Sequence, residues 1–131
     1  MRNELTFNLR ATRDPELHFS NEGRAWCSIS AAWNEMTRND QGEWETRHTE
    51  YYDVVVFGDL AEHVAEAVTK GMPIIVKASK GVEVVTFERK DGTMGAQGKI
   101  LADDIQLSLR DLSVQVIPTE KTSQAKTVSV G

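Results

Sequence analysis

Apolar and polar residues alternate with a period of two along most of this chain, the pattern of strands with one face buried. Leu5, Phe7 and Leu9 alternate with Thr6, Asn8 and Arg10, and Cys27, Ile29, Ala31 and Trp33 alternate with Trp26, Ser28, Ser30 and Ala32. From Tyr51 to Phe57 both sets of positions are apolar or aromatic, which predicts a strand covered on both sides. The β-branched runs Ile74 to Ser79 and Val82 to Arg89 predict two more strands. Lys90-Asp91-Gly92-Thr93 reads as a hairpin turn, because Asp-Gly accepts positive φ cheaply, with Ile100 to Gln106 as the returning arm. Leu107 to Val116 either extends the sheet or pairs with another subunit.

One segment has helical spacing instead. Leu60, Val64, Ala67 and Val68 share a face, Asp59 and Glu62 form a capping-box pattern, Lys70 suits the negative end of the dipole, and Gly71 suits a left-handed C-terminal position. The pattern predicts a helix over about 60–70. Three strands, a helix, then two or three strands is the order of an all-β fold with one helix, a five-stranded Greek-key barrel of the OB type with extended β-hairpins. That domain is expected over 1–117. Residues 118–131 are polar, lack aromatics, and read as a flexible tail.

Composition narrows the function classes. The apolar runs are too short for a membrane span or a signal peptide, and the single Cys27 excludes an internal disulfide. Fifteen Lys and Arg against twenty Asp and Glu give a net charge of -5. That balance argues against a polyanionic partner unless the basic residues are gathered locally. His18, His48 and His63 have no metal-ligand spacing, and no nucleophile–base signature or Gly-rich phosphate cradle accompanies them. Adjacent Asp103 and Asp104 on a strand point to opposite faces, which disfavours chelation of one ion and favours strand-end hydrogen bonding. No enzyme, cofactor or metal is expected.

Five stretches in order resemble the bacterial and phage single-stranded DNA-binding proteins, especially actinobacterial ones. They are Thr12 to Gly23 (TRDPELHFSNEG), Thr49 to Ala65 (TEYYDVVVFGDLAEHVA), Lys70-Gly71 before a Val/Ile-rich strand, Phe87 to Gly92 (FERKDG), and Leu101 to Ile105 with Ser108-Leu109-Arg110. The resemblance runs in register from about residue 5 to 116. It implies an OB-fold homo-oligomer, usually a tetramer, that binds single-stranded DNA without sequence preference in replication, recombination and repair. Such a protein works in the cytoplasm of a bacterium or phage-infected cell, on the nucleoid and not at a membrane.

Stacking and charge would do the binding: aromatic platforms hold any base, and Lys and Arg neutralise phosphates. By the resemblance, Tyr51, Phe57 and Phe87 fall where the family carries stacking aromatics, and Trp33 lies near another such position, across a loop from Asn34 to Thr46. Phe19 is expected beside the groove and Trp44 as an extra platform in the loop. Arg13, Arg24, Arg47, Lys77, Arg89, Lys90 and Lys99 are the expected phosphate path. Sheet packing and solvated surface charge are the competing accounts of these residues. Trp26 replaces a small residue of the family pattern and reads as structural or interfacial.

The chain departs from the family in three places. Leu9-Arg10-Ala11 stands for Gly-Asn-Leu; the fourth strand is longer and poorer in Arg; and the chain ends Val128-Ser129-Val130-Gly131 without the acidic tip of the cellular members. Either that tip has been removed, or this is a phage, plasmid or paralogous form. Two rivals remain: an OB-fold interaction subunit with weakened DNA binding, and a metal-dependent nuclease built on Asp103 and Asp104.

Overall fold

The computed structural model describes residues 4–110 and 112–115. The expected tail at 118–131, and with it the boundary near 117, lies outside these. Eight strands and one helix follow in the order β1 (Leu5–Ala11), β2 (Glu16–Phe19), β3 (Ala25–Arg38), β4 (Trp44–Phe57), α1 (Asp59–Ala67), β5 (Pro73–Ala78), β6 (Val82–Glu88), β7 (Met94–Leu101) and β8 (Asp104–Leu107). Hydrogen bonding runs β6-β7-β4-β3-β1-β5-β8, with β2 added on β3.

That order has free ends on paper, yet its barrel portion returns on itself through the chain. Only Ala102 and Asp103 separate β7 from β8. β7 lies parallel to β4 through Tyr52–Gly98 to Val55–Leu101, whereas β8 lies antiparallel to β5 through Ile74–Leu107 to Lys77–Asp104. The switch of partner falls between two adjacent amides: Ala102 donates to the Val55 carbonyl at 2.9 Å, and Asp103 donates to the Lys77 carbonyl at 2.8 Å. Counting β7 and β8 as one bent strand, the wall is β1, β3, β4, β7–β8 and β5, the five strands of the OB barrel. The other strands are outgrowths of that wall: β2, the β6–β7 hairpin, and the far half of the β3–β4 hairpin.

The core follows from the pleat. Cys27, Ile29, Val54, Val56, Ile74, Val76 and Ile100 are all at most 1% exposed, and Ala61 and Val64 of α1 cover one side of the cluster. Burial raises the Cys27 thiol's pKa above its ordinary value, with the Glu16 charge a lesser cause, so it packs as a small apolar group.

Several expectations need correction. The helix ends at Ala67, with Val68 already extended, and its N-cap is Gly58 at φ 69 rather than Asp59, with no side-chain cap bond. Gly58 takes this conformation because its amide continues the sheet to Ala25 while its carbonyl accepts from Ala61 and Glu62. Gly71 does adopt positive φ, but as part of the Thr69–Met72 turn whose amide meets Ala11. Asn34 to Thr46 is a hairpin, not a loop, because the β3–β4 ladder continues to Arg38–Trp44. The arm returning from the Asp-Gly turn starts at Met94, and Ile100 to Gln106 is broken at the bend. Beyond Leu107 no strand is formed among the described residues up to 115, and Val116 lies outside them.

The Asp103 carboxylate accepts from the Ser79 amide at 2.8 Å, tying the bend to the end of β5. Asp103→Ala should therefore cost about 1 kcal/mol, while Ile100→Ala, deep in the core, should cost ~2–5 kcal/mol. Urea unfolding of both variants checks the contrast. An Asp103→Ala protein as stable as the parent would mean that this acceptor does not hold the closure.

Candidate nucleic-acid interface

Residues facing each other across an antiparallel ladder share a face, so register decides which side chains meet. Val54 and Val56 point into the barrel, which places Tyr51, Asp53, Val55 and Phe57 outside. Their β3 partners are Ala32, Ser30, Ser28 and Trp26. On the other side, Lys99 lies beside Asp53, and the β6–β7 pairs Glu83–Lys99, Val85–Gln97 and Phe87–Gly95 continue the same outer face. Tyr51, Phe57 and Phe87 are 58%, 52% and 43% exposed there, a high price in water for large rings unless something covers them.

Glycine sets the Phe87 ring. A Cβ on Gly95 would lie 2.6 Å from Phe87 Cζ, so the ring lies across the neighbouring strand where no side chain stands. Arg89 holds its guanidinium 5.5 Å from the ring centre and donates from Nη1 to the Met94 carbonyl at 2.8 Å. Arg13 reaches the same face from the β1–β2 connection, its Nε donating to Ser30 Oγ at 3.0 Å. Arg13, Ser30, Tyr51, Phe87, Arg89 and Gln97 together line an open cleft of about 410 Å³. Two cations and two aromatic rings thus meet in one concavity, although the chain as a whole is acidic.

Trp44 also belongs to this face, for an indirect reason. It is seven residues from Tyr51, an odd spacing that would put the two on opposite sides of β4. The ladder shifts at Glu35/Met36, leaving Arg47 with no residue opposite it on β3, and this bulge restores the phase. Trp44 sits at the hairpin end, 64% exposed, with Arg38 5.4 Å from its ring.

The remaining expected residues do not line this cleft. Trp33 shares a face with Glu50 and Tyr52, lining a separate cleft of about 280 Å³ beside Phe7. Phe19 pairs with Ala25, whose parity is that of the core, so it stands exposed on the face away from Phe57. Lys77 is on the β1–β5 wall, in register with Thr6 and Asp104. Arg47 pairs with Glu35 at 3.7 Å, and Lys99 lies in a row between Asp53 and Glu83. Arg24 is exposed in the β2–β3 turn, and Lys90 is exposed at the β6–β7 tip. Trp26, read from the sequence as structural or interfacial, is the tryptophan of β3 on the Phe57 face, with the parity of Ser28 and Ser30.

Asp103 and Asp104 bond apart from each other, Asp103 to the Ser79 amide and Asp104 to Gln106 Nε2. Among the described residues no cluster of three or more His, Cys, Asp or Glu is placed to hold a metal ion, and no helix is long and apolar enough to cross a membrane.

The model of the single-strand binding protein family matches residues 3–108. The chain belongs to that family. It is 31% identical over 121 residues to the single-stranded DNA-binding protein of Paenarthrobacter nicotinovorans, covering 92% of this chain and 70% of that one. It is 32% identical over 106 residues to the homologue of Borreliella burgdorferi, covering 80% and 68%. Against single-stranded DNA-binding protein 1 of Staphylococcus aureus strain Mu50, identity is 31% over 97 residues, and only 59% of that protein is spanned. The chain therefore spans about two-thirds of the length of its curated relatives. Its fold is that of the small single-stranded DNA-binding protein of Streptomyces coelicolor, with a TM-score of 0.68 at 18% identity over 82% of this chain and 95% of that one.

The tip that carries Arg89 and Lys90 is organised by Asp91, whose carboxylate accepts from the Thr93 amide at 3.0 Å and hydroxyl at 2.6 Å. These bonds hold its pKa below the ordinary 3.8. A lowered folded pKa means the turn gains from the carboxylate above 3.8 and loses that gain as pH falls through the lower folded value. The Thr93 amide resonance should accordingly titrate with a midpoint below 3.8 in an NMR pH series. A midpoint at or above 3.8 would contradict the bonding described.

Proposed function

We propose that this protein binds single-stranded DNA without sequence preference, on the outer face of β4 and the β6–β7 hairpin. Bases stack on Tyr51, Phe57 and Phe87, and phosphates run past Arg13, Arg89 and Lys90. The observation that carries the reading is the cleft in which Tyr51 and Phe87 meet Arg13 and Arg89. Membership of the single-strand binding protein family supports the same ligand. Stacking is indifferent to base identity because every base offers a π-face, and the scarcity of free cations on this face makes stacking the larger share. Trp44 with Arg38 extends the track toward the hairpin end. Trp33, Phe19 and Lys77 lie outside it. No residue is given a catalytic role. The protein acts in the cytoplasm, wherever replication, recombination or repair exposes single strands.

Homo-oligomerisation, to a tetramer, completes the proposal. β6 forms one edge of the sheet, and all seven of its residues are exposed. Val84 and Met94 of this hairpin are 70% and 62% exposed, and an apolar edge of that kind invites pairing with a second copy.

Phe57→Ala and Phe87→Ala should each weaken oligo-dT binding by ~1–3 kcal/mol, with Gly95→Ala showing part of the Phe87 loss because its methyl displaces the ring. Fluorescence anisotropy at two salt concentrations measures this, and normal affinity in both folded Phe variants sinks the assignment. Light scattering checks the assembly: a species of ~15 kDa at micromolar concentration would refute it.

A further inference from the structure

We infer that Trp26 and His18 form an additional base platform on the β2 side of Phe57, extending the DNA track over a tryptophan that the sequence pattern made structural or interfacial. The inference rests on the proposed DNA-binding face and adds a subsite to it.

Three observations carry it. The first is register: His18 on β2 lies opposite Trp26 on β3, which lies opposite Phe57 on β4, so three rings form one lateral row on one face. The second is parity. The neighbours of Trp26, Ala25 and Cys27, supply the core, while Trp26 itself is directed outward and stays only half-buried. The indole therefore fills no space inside the barrel and stands on the outer face. The third is bracing: the His18 and Trp26 rings stack with centroids 4.3 Å apart and planes 23° from parallel, and His18 Nε2 lies 3.5 Å from Glu16 Oε2. A large ring held still by a neighbour loses little freedom when a base settles on it, which is what a stacking platform needs.

The geometry extends the face in a useful direction. Tyr51 and Phe57 are six residues apart on β4, about 20 Å along the strand. The Trp26–His18 pair turns the aromatic track sideways at its Phe57 end, across two strand spacings of about 4.8 Å each. A strand of DNA lying along β4 would thus meet apolar rings as it leaves the barrel over β2.

The test uses the full chain and a labelled oligo-dT. Trp26→Leu should weaken binding about 5- to 100-fold, and His18→Ala by a smaller factor, with the oligomeric state unchanged by light scattering. Unchanged affinity in both folded variants overturns the inference. So does a loss that appears only together with a change of oligomeric state, which would make the pair a subunit contact. A second readout avoids perturbing Trp26: with Trp33→Phe and Trp44→Phe combined, Trp26 is the only tryptophan left. Its emission should be quenched at saturating oligo-dT, and unchanged emission while anisotropy reports bound DNA also overturns the inference. The two levels separate cleanly. Absence of binding by the unaltered chain defeats the functional reading itself, whereas a bound oligonucleotide insensitive to Trp26 and His18 defeats only this subsite.

Discussion

The two-residue period of β4 is the constraint from which the rest of the site follows. Val54 and Val56 are fully enclosed, and their burial fixes the strand's phase against β3 and β7. Once they are inside, Tyr51 and Phe57 have no choice but to stand outside, because a one-residue slip would exchange the faces. The core and the exposed rings are therefore not independent features. The same backbone alternation that stabilises the barrel holds the rings out, and the hydrophobic cost of exposing them is offset by the burial of their neighbours. The bent β7–β8 strand has the complementary role. Its far half seals the wall against β5, which frees the near half of β7 to leave the barrel with β6 and carry Phe87 over the groove.

Charge enters this arrangement as a local matter. A net charge of -5 says little about a face on which Arg13 and Arg89 meet over a cleft, since their neighbours there are rings and amides. The cations toward the middle of the sheet are compromised: Lys99 shares its row with Asp53 and Glu83, and Arg47 is taken by Glu35. The balance of forces shifts accordingly. In the proposed binding mode, few free cations on this face would make the counterion-release component small, and each stacked base would carry proportionately more of the binding.

Much of this was legible in the sequence, and the parts that were not have physical reasons. Alternation gave the strands, and Asp91-Gly92 gave the hairpin turn, because both are local signals. The helix cap was misplaced because Asp59 and Glu62 imitate a capping box, while Gly58 takes the position through its sheet bond to Ala25, which is a long-range effect. The span from Asn34 to Thr46 has only Met36 and Trp44 as large apolar residues, because neither face of this end of the hairpin is buried, so its local pattern resembles a loop. Trp33 and Trp26 lie on opposite faces of β3. Both tryptophans satisfy the alternation, and only the pairing of Trp26 with Phe57 reveals which of the two faces is the aromatic one.

The two glycines of β7 show how closely core and site are built on one another. Gly95 and Gly98 are three residues apart, an odd spacing, and so open opposite faces of the same strand. Over Gly95 lies Phe87, on the outer face; over Gly98 lies Tyr52, where a Cβ would come within 2.6 Å of its ring. Tyr52 belongs to the interior side, packs 5.8 Å from Phe7, and sends its hydroxyl to Glu50 at 2.9 Å. Burial, with that hydrogen bond and charge added, raises its pKa above the ordinary phenol value, as befits a ring anchored and not presented. Adjacent tyrosines at 51 and 52 thus have separate settings, one exposed on the outer face and one fixed against the barrel. What separates them is not their chemistry, which is identical, but which face of the strand each occupies and whether the neighbouring strand leaves room for a ring to lie down.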